Sequence, residues 1–153
     1  MSYDIFLFPP VADEDPSVTA QCEAEIDDPL SNEGRARNAC VVAALKAHTP
    51  SLEIYEFDEG VQVSALDDGT CIQIELFNSE GAIRIPYWHR KKTHLISTQI
   101  NSYLQIIARE TGFLAFDPQS EKLIDPAVGV GDVLSMHPVR AMDRPRPNSL
   151  FGN

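Results

Sequence analysis

Cysteine is scarce in this chain, tryptophan scarcer, and long apolar runs are missing. The three cysteines, Cys22, Cys40 and Cys71, form neither an even set nor a Cys-x-x-Cys pair, which argues against a disulfide framework or a thiolate metal site. Free thiols in a reducing compartment are the expectation. The longest unbroken apolar stretch, Ala39 to Leu45, falls far short of the roughly 18 residues that span a bilayer. Met1 is followed by Ser2-Tyr3-Asp4 rather than by the basic and apolar regions of a secretory signal. A cytoplasmic protein without a membrane segment is therefore expected. There is also no G-x-S-x-G elbow, no glycine-rich phosphate loop and no internal repeat.

Positive charge is the other shortage. Twelve Lys and Arg face twenty-three Asp and Glu, a net charge of −11. The excess is local: Met1 to Gly60 holds thirteen acidic and three basic residues, a net of −10, and the remainder holds ten and nine, a net of −1. Such a field repels a phosphate backbone, so nucleic-acid binding through the N-terminal half is disfavoured. It attracts a basic protein partner, unless the carboxylates serve only to keep the chain dissolved.

What remains is ordinary globular material. The 43% apolar fraction excludes wholesale disorder, and 153 residues fit one domain. Ile5-Phe6-Leu7-Phe8, stopped by Pro9-Pro10, predicts an interior strand with both faces apolar. The acidic stretch from Val11 to Asp28 reads as a loop, with a short helical turn around Thr19 to Ala24. A first helix begins at Asp28-Pro29 or at Ser31, both suited to N-capping, and stops at Thr49-Pro50. Ala36, Cys40, Ala43 and Ala47, with Val41 and Leu45 beside them, form its expected buried stripe. Leu52 to Phe57, Val61 to Leu66, Cys71 to Phe77 and Ala82 to Tyr87 are short β-forming runs separated by turn residues, the pattern of consecutive hairpins. Ile96, Ile100, Tyr103 and Ile107 mark a second amphipathic helix, ended by Gly112. Phe113 to Phe116 and Lys122 to Ile124 predict two further strands around the turn Asp117-Pro118-Gln119-Ser120.

The expected fold is α+β, a two-layer sandwich with a mainly antiparallel sheet and two main helices on one face. Residues 1–125 form the domain. Residues 126–153, with Pro126, Pro138, Pro145, Pro147, Arg140, Arg144 and Arg146, form a largely irregular extension.

Two stretches carry a resemblance. Ile83-Arg84-Ile85-Pro86-Tyr87-Trp88-His89 ends the hairpins, and Glu110-Thr111-Gly112-Phe113 leads into Phe116-Asp117-Pro118-Gln119. With the Met-Ser-Tyr-Asp start, the chain resembles a family of small uncharacterised bacterial proteins marked by Pro-Tyr-Trp and by Thr-Gly…Tyr-Asp-Pro-Gln. Phe116 stands where that pattern has tyrosine. The resemblance implies a fold and a bacterial cytoplasmic setting, and no activity.

Two sites stand out as candidates. Tyr87-Trp88-His89-Arg90-Lys91-Lys92-Thr93-His94 combines the only tryptophan with three consecutive cations. Tyr87, Trp88, His89 and Arg90 suit a protein contact or an anionic ligand held by the Arg90 fork. The plainer alternative is a strand-to-helix connection whose Trp88 caps the core. Asp117 and Gln119 either recognise a partner, act as an acid–base pair, or simply make a tight turn. His89 and His94 lack metal-ligand spacing and a completing carboxylate, so no metal or other cofactor is expected. Cys40, on the apolar stripe, reads as a small core residue, and no cysteine has the surroundings of a nucleophile. The leading expectation is a non-catalytic protein-binding module with a basic partner, one concrete version being an immunity or antitoxin type. The alternatives are a small enzyme pairing His89 or His94 with Asp117, and an anion binder built on Trp88, His89 and Arg90.

Overall fold

The computed structural model describes residues 3–10, 15, 29–67, 70–88 and 90–130, with Tyr87 and Arg90 described as backbone. The expected helical turn at Thr19 to Ala24, Cys22, His89 and the chain from residue 131 lie outside the described residues.

The elements are β1 (Tyr3–Phe8), α1 (Asn32–His48), β2 (Glu53–Phe57), β3 (Gly60–Asp67), β4 (Thr70–Leu76), β5 (Gly81–Tyr87), a 3-10 turn (Arg90–Lys92), α2 (Thr93–Thr111), β6 (Leu114–Asp117) and β7 (Lys122–Ile124). The strands form one sheet in the order β2-β3-β4-β5-β1-β6-β7, and every neighbouring pair is antiparallel. The fold is the expected two-layer α+β sandwich. β2 to β5 are the meander the turn residues predict. β1 enters between β5 and β6, which makes it interior as its two apolar faces require.

Register sorts the side chains. Tyr3↔Ile85, Ile5↔Ile83 and Leu7↔Ala115 put these residues on one face, together with Val63↔Ile74 and Val61↔Leu76. All of them join a single buried cluster with Val41 and Leu45 of α1 and with Ile96, Ile100, Tyr103, Leu104 and Ile107 of α2. On the opposite face, Gln62, Ser64, Gln73, Glu75 and Arg84 are half-buried polar groups. Toward β1 and β6 that face turns aromatic, with Phe6, Phe8 and Phe116.

α1 starts at the second of its two expected caps. Ser31 Oγ accepts from Gly34 N at 3.0 Å, and Asn78 in the β4–β5 turn accepts from Ser31 N at 2.9 Å and donates to the Pro29 carbonyl at 3.0 Å. Its buried line is Gly34, Asn38, Val41 and Leu45. Ala36, Cys40, Ala43 and Ala47 are exposed, which corrects the expected stripe and the core placement of Cys40. Burial gain grows with apolar area, so Val41 and Leu45 set the rotation of the helix. Alanine methyls are too small to compete. Gly34 permits close approach, because a Cβ there would meet Asn78 Oδ1 at 2.5 Å. Asn38 is drawn inward by the Leu76 carbonyl, 3.4 Å from its Nδ2.

α2 matches its pattern more closely: Ile96, Ile100, Tyr103 and Ile107 are all buried. Gly112 ends it at φ 73° in the left-handed region, its N–H donating to Ala108 O at 2.8 Å. The described chain stays attached beyond residue 125. Val130 N donates to Asn101 Oδ1 at 2.8 Å, and the Val130 side chain is part of the core. Thus the segment expected to be an extension contributes at least one core residue, Val130.

Candidate functional site

The Tyr87 to His94 segment is divided by the fold. Tyr87 closes β5 opposite Cys71, and Arg90 opens the 3-10 turn. Trp88 is 2% exposed and belongs to the central cluster. Of the two roles the sequence leaves open for it, the core is the one it takes. An indole buries some 150–250 Å², and the joint between β5 and α2 gives it the interior on both sides. Lys91 and His94 are exposed, and Lys92 pairs with Asp67 of β3 at 3.3 Å. That contact gives one cation at the start of α2 an acidic counterpart, where the helix dipole alone would disfavour it.

Asp117 lies at the end of β6 on the helix-side face and is 1% exposed. Its Oδ2 accepts from Tyr3 Oη and from Ser120 Oγ, each at 2.8 Å. Its Oδ1 accepts from Gln119 N at 2.8 Å, and the Gln119 amide nitrogen, turned to suit its neighbours, reaches the same oxygen at 2.8 Å and the Asp4 carbonyl at 3.0 Å. Four donors match the four lone-pair sites of a carboxylate. The chain therefore uses the Asp117-Pro118-Gln119-Ser120 turn to hold a buried charge and to fasten β6 to β1. Burial raises the Tyr3 phenol well above its ordinary range, and the Asp117 hydrogen bond and charge push it the same way. No imidazole is among the described donors to Asp117, and His94 is exposed.

The other polar interior contacts are also structural. Arg37 donates to the Phe77 carbonyl at 2.6 Å and lies 4.9 Å from the centre of the Phe113 ring. Burial lowers its pKa, with Glu33 acting in the opposite direction. Cys71 is buried, and desolvation raises its thiol pKa, the reverse of what a nucleophile needs. Among the described residues no group of three or more His, Cys, Asp or Glu is arranged to hold a metal ion. No helix among them is long and apolar enough to cross a membrane.

A further exposed feature is one the sequence did not single out. β2 is the last of the described strands on its side of the sheet. Its Tyr55 is 67% exposed and stacks on Phe57 with ring centres 6.0 Å apart, and Phe57 meets Phe77 edge-on at the same distance. Ser51 to Gly60 contains four acids, Glu53, Glu56, Asp58 and Glu59, and no base. Between β2 and the flank of α1 runs a cleft of about 230 Å³, with Leu30, Ala39, Val42 and Ala43 as apolar lining and Arg35 and Glu56 as charged lining. The alternating run at 53–57 is visible in the sequence, but strand order is not, so its position at the edge had no local signal.

No protein-family model, curated protein or solved structure matches this chain.

Proposed function

We propose that this protein is a non-catalytic binding module whose acidic surface receives a basic protein partner in the cytoplasm. The observation that carries the reading is the composition of β2 and its turn: four carboxylates without a base, around a tyrosine that is two-thirds exposed. Aromatic side chains with an apolar body and a polar tip are favoured anchors of protein contacts. Clustered charge of one sign speeds the approach of an opposite surface and rejects like-charged competitors. Two of the titratable groups that the fold buries, Asp117 and Tyr3, are bonded to one another. The free thiols Cys40 and Cys71 suit a reducing compartment. A neutralising role of the immunity or antitoxin kind is the concrete form of the proposal, with the acidic surface laid over a basic domain.

The test is capture on the immobilised full chain at low salt, release at high salt, and titration of each recovered protein in purified form. The reading expects a basic partner whose affinity falls steeply as ionic strength rises. Partners that bind equally well at 50 mM and 500 mM salt, or that are themselves acidic, would refute it.

A further inference from the structure

Resting on that reading, we infer that the partner contributes an extended basic segment that adds as an eighth strand along β2. Three independent observations converge on this edge. The first is backbone geometry. Phe57 pairs with Gly60 across the two-residue turn Asp58-Glu59, which makes that pair the hydrogen-bonded closing pair of the hairpin. By alternation Tyr55 and Glu53 also spend their backbone groups on β3, and Ile54 and Glu56 turn theirs outward. Two residues therefore present two N–H donors and two carbonyl acceptors to an incoming strand.

The second observation is the space alongside. Ile54 and Glu56 face the helix side, where the cleft against Ala39, Val42 and Ala43 lies. Tyr55 and Glu53 face the other way, while Phe57, next to the turn, also lines the cleft. A strand next to β2 alternates its side chains in the same manner, so one set enters the apolar cleft and the other meets the Tyr55 ring and the Glu53 carboxylate. Exposed alanines of α1, Ala39 and Ala43, line one side of that cleft among the described residues.

The third is charge. Like charges directly opposite one another destabilise strand pairing, so β2 of a second copy, with Glu53 and Glu56 of its own, is a poor occupant. A lysine- or arginine-bearing strand has the opposite sign, and its cations also suit the face of the tyrosine ring. The other sheet edge offers much less. β7 is three residues long and carries Lys122, the short and charged form that proteins use to close an edge. Strand addition of this kind takes its affinity from main-chain bonds and its selectivity from alternate side-chain sites.

The probe is a blocked nine-residue peptide of alternating lysine and valine, titrated into the full-length protein. We expect saturable binding that weakens at least tenfold between 50 and 300 mM salt. Amide shifts should be confined to Ile54–Phe57 and to Ala39, Val42 and Ala43. Glu56→Pro removes an outward N–H without touching the β3 ladder and should weaken binding tenfold or more, and Tyr55→Ala about fivefold, with the melting temperatures of both variants showing that they fold. If Glu56→Pro binds the peptide as well as the parent does, the strand-addition proposal falls while the basic-partner reading stands. Absence of peptide binding also overturns it, and the salt-release experiment then judges the broader reading separately. A concentration-dependent dimer abolished by Glu56→Pro would assign the edge to a second copy and overturn the proposal as well.

Discussion

Tyr3 and Asp117 stand 114 residues apart in sequence and 2.8 Å apart in space. Removing one donor from a buried carboxylate leaves a desolvated oxygen short of a partner, at a cost of about 1–3 kcal/mol. Tyr3→Phe is expected to lose stability in that range in urea denaturation at pH 7. The pH dependence has a definite sign. The folded-state pKa of Tyr3 is raised, so its contribution is fully present below the unfolded value of about 10 and is lost as pH rises beyond it. The gap between parent and variant should therefore narrow in alkaline solution. A gap that is constant or widening from pH 9 to 11 would contradict the assignment. The sequence showed the turn at Asp117 from its residue types alone, whereas the phenol that completes the site came from the opposite end of the chain.

Helix α1 shows how an element is oriented by its largest side chains. The alanine and cysteine spacing is as regular as the Val41 and Leu45 line, and small residues at helical period imitate a buried stripe. Area decides between them. Cys40 is consequently exposed, while Cys71 on β4 is buried. In a Cys22→Ser background, we expect one thiol to react with a maleimide within seconds and to disappear in Cys40→Ser. The second should react only at the rate at which the protein opens. Two slow thiols would mean that α1 is rotated to the alanine face. Helix α2 presented less conflict, because its bulky residues other than the exposed Leu95 lie on one buried stripe. Asn38, buried at 3% exposure, is a polar residue on α1 whose burial periodicity does not show. Its burial depends on a strand carbonyl nearly forty positions away.

Across the whole molecule, Trp88 binds the two layers together. It sits where β5 hands over to α2, inside the cluster that both helices share with the sheet. Trp88→Ala is expected to cost about 3–5 kcal/mol, read by circular dichroism in urea, and the parent's single indole should resist acrylamide quenching until the protein unfolds. A loss under about 0.5 kcal/mol, the size typical of surface changes, would place the ring outside the core. The same burial relocates the candidate binding surface. With its tryptophan inside, the Tyr87 to His94 segment has no described aromatic anchor at the surface, and the exposed ring on an acidic background is Tyr55 on β2.

Alternation, turn residues and helical period were sufficient, on their own, to specify the strands, the second helix, the antiparallel meander and the two-layer arrangement. These depend on contacts between near neighbours along the chain, whose spacing is written in the residues themselves. The sequence also located the acidic excess in the first sixty residues. Tertiary structure alone decided that β1 lies between β5 and β6, that β2 is an edge, that α1 turns its alanines outward, and that Tyr3 meets Asp117. Each of these is a competition among distant partners for the same buried area or the same hydrogen-bond acceptor. No local pattern records which partner wins, because the outcome is set by the summed burial and polar satisfaction of the assembled layers.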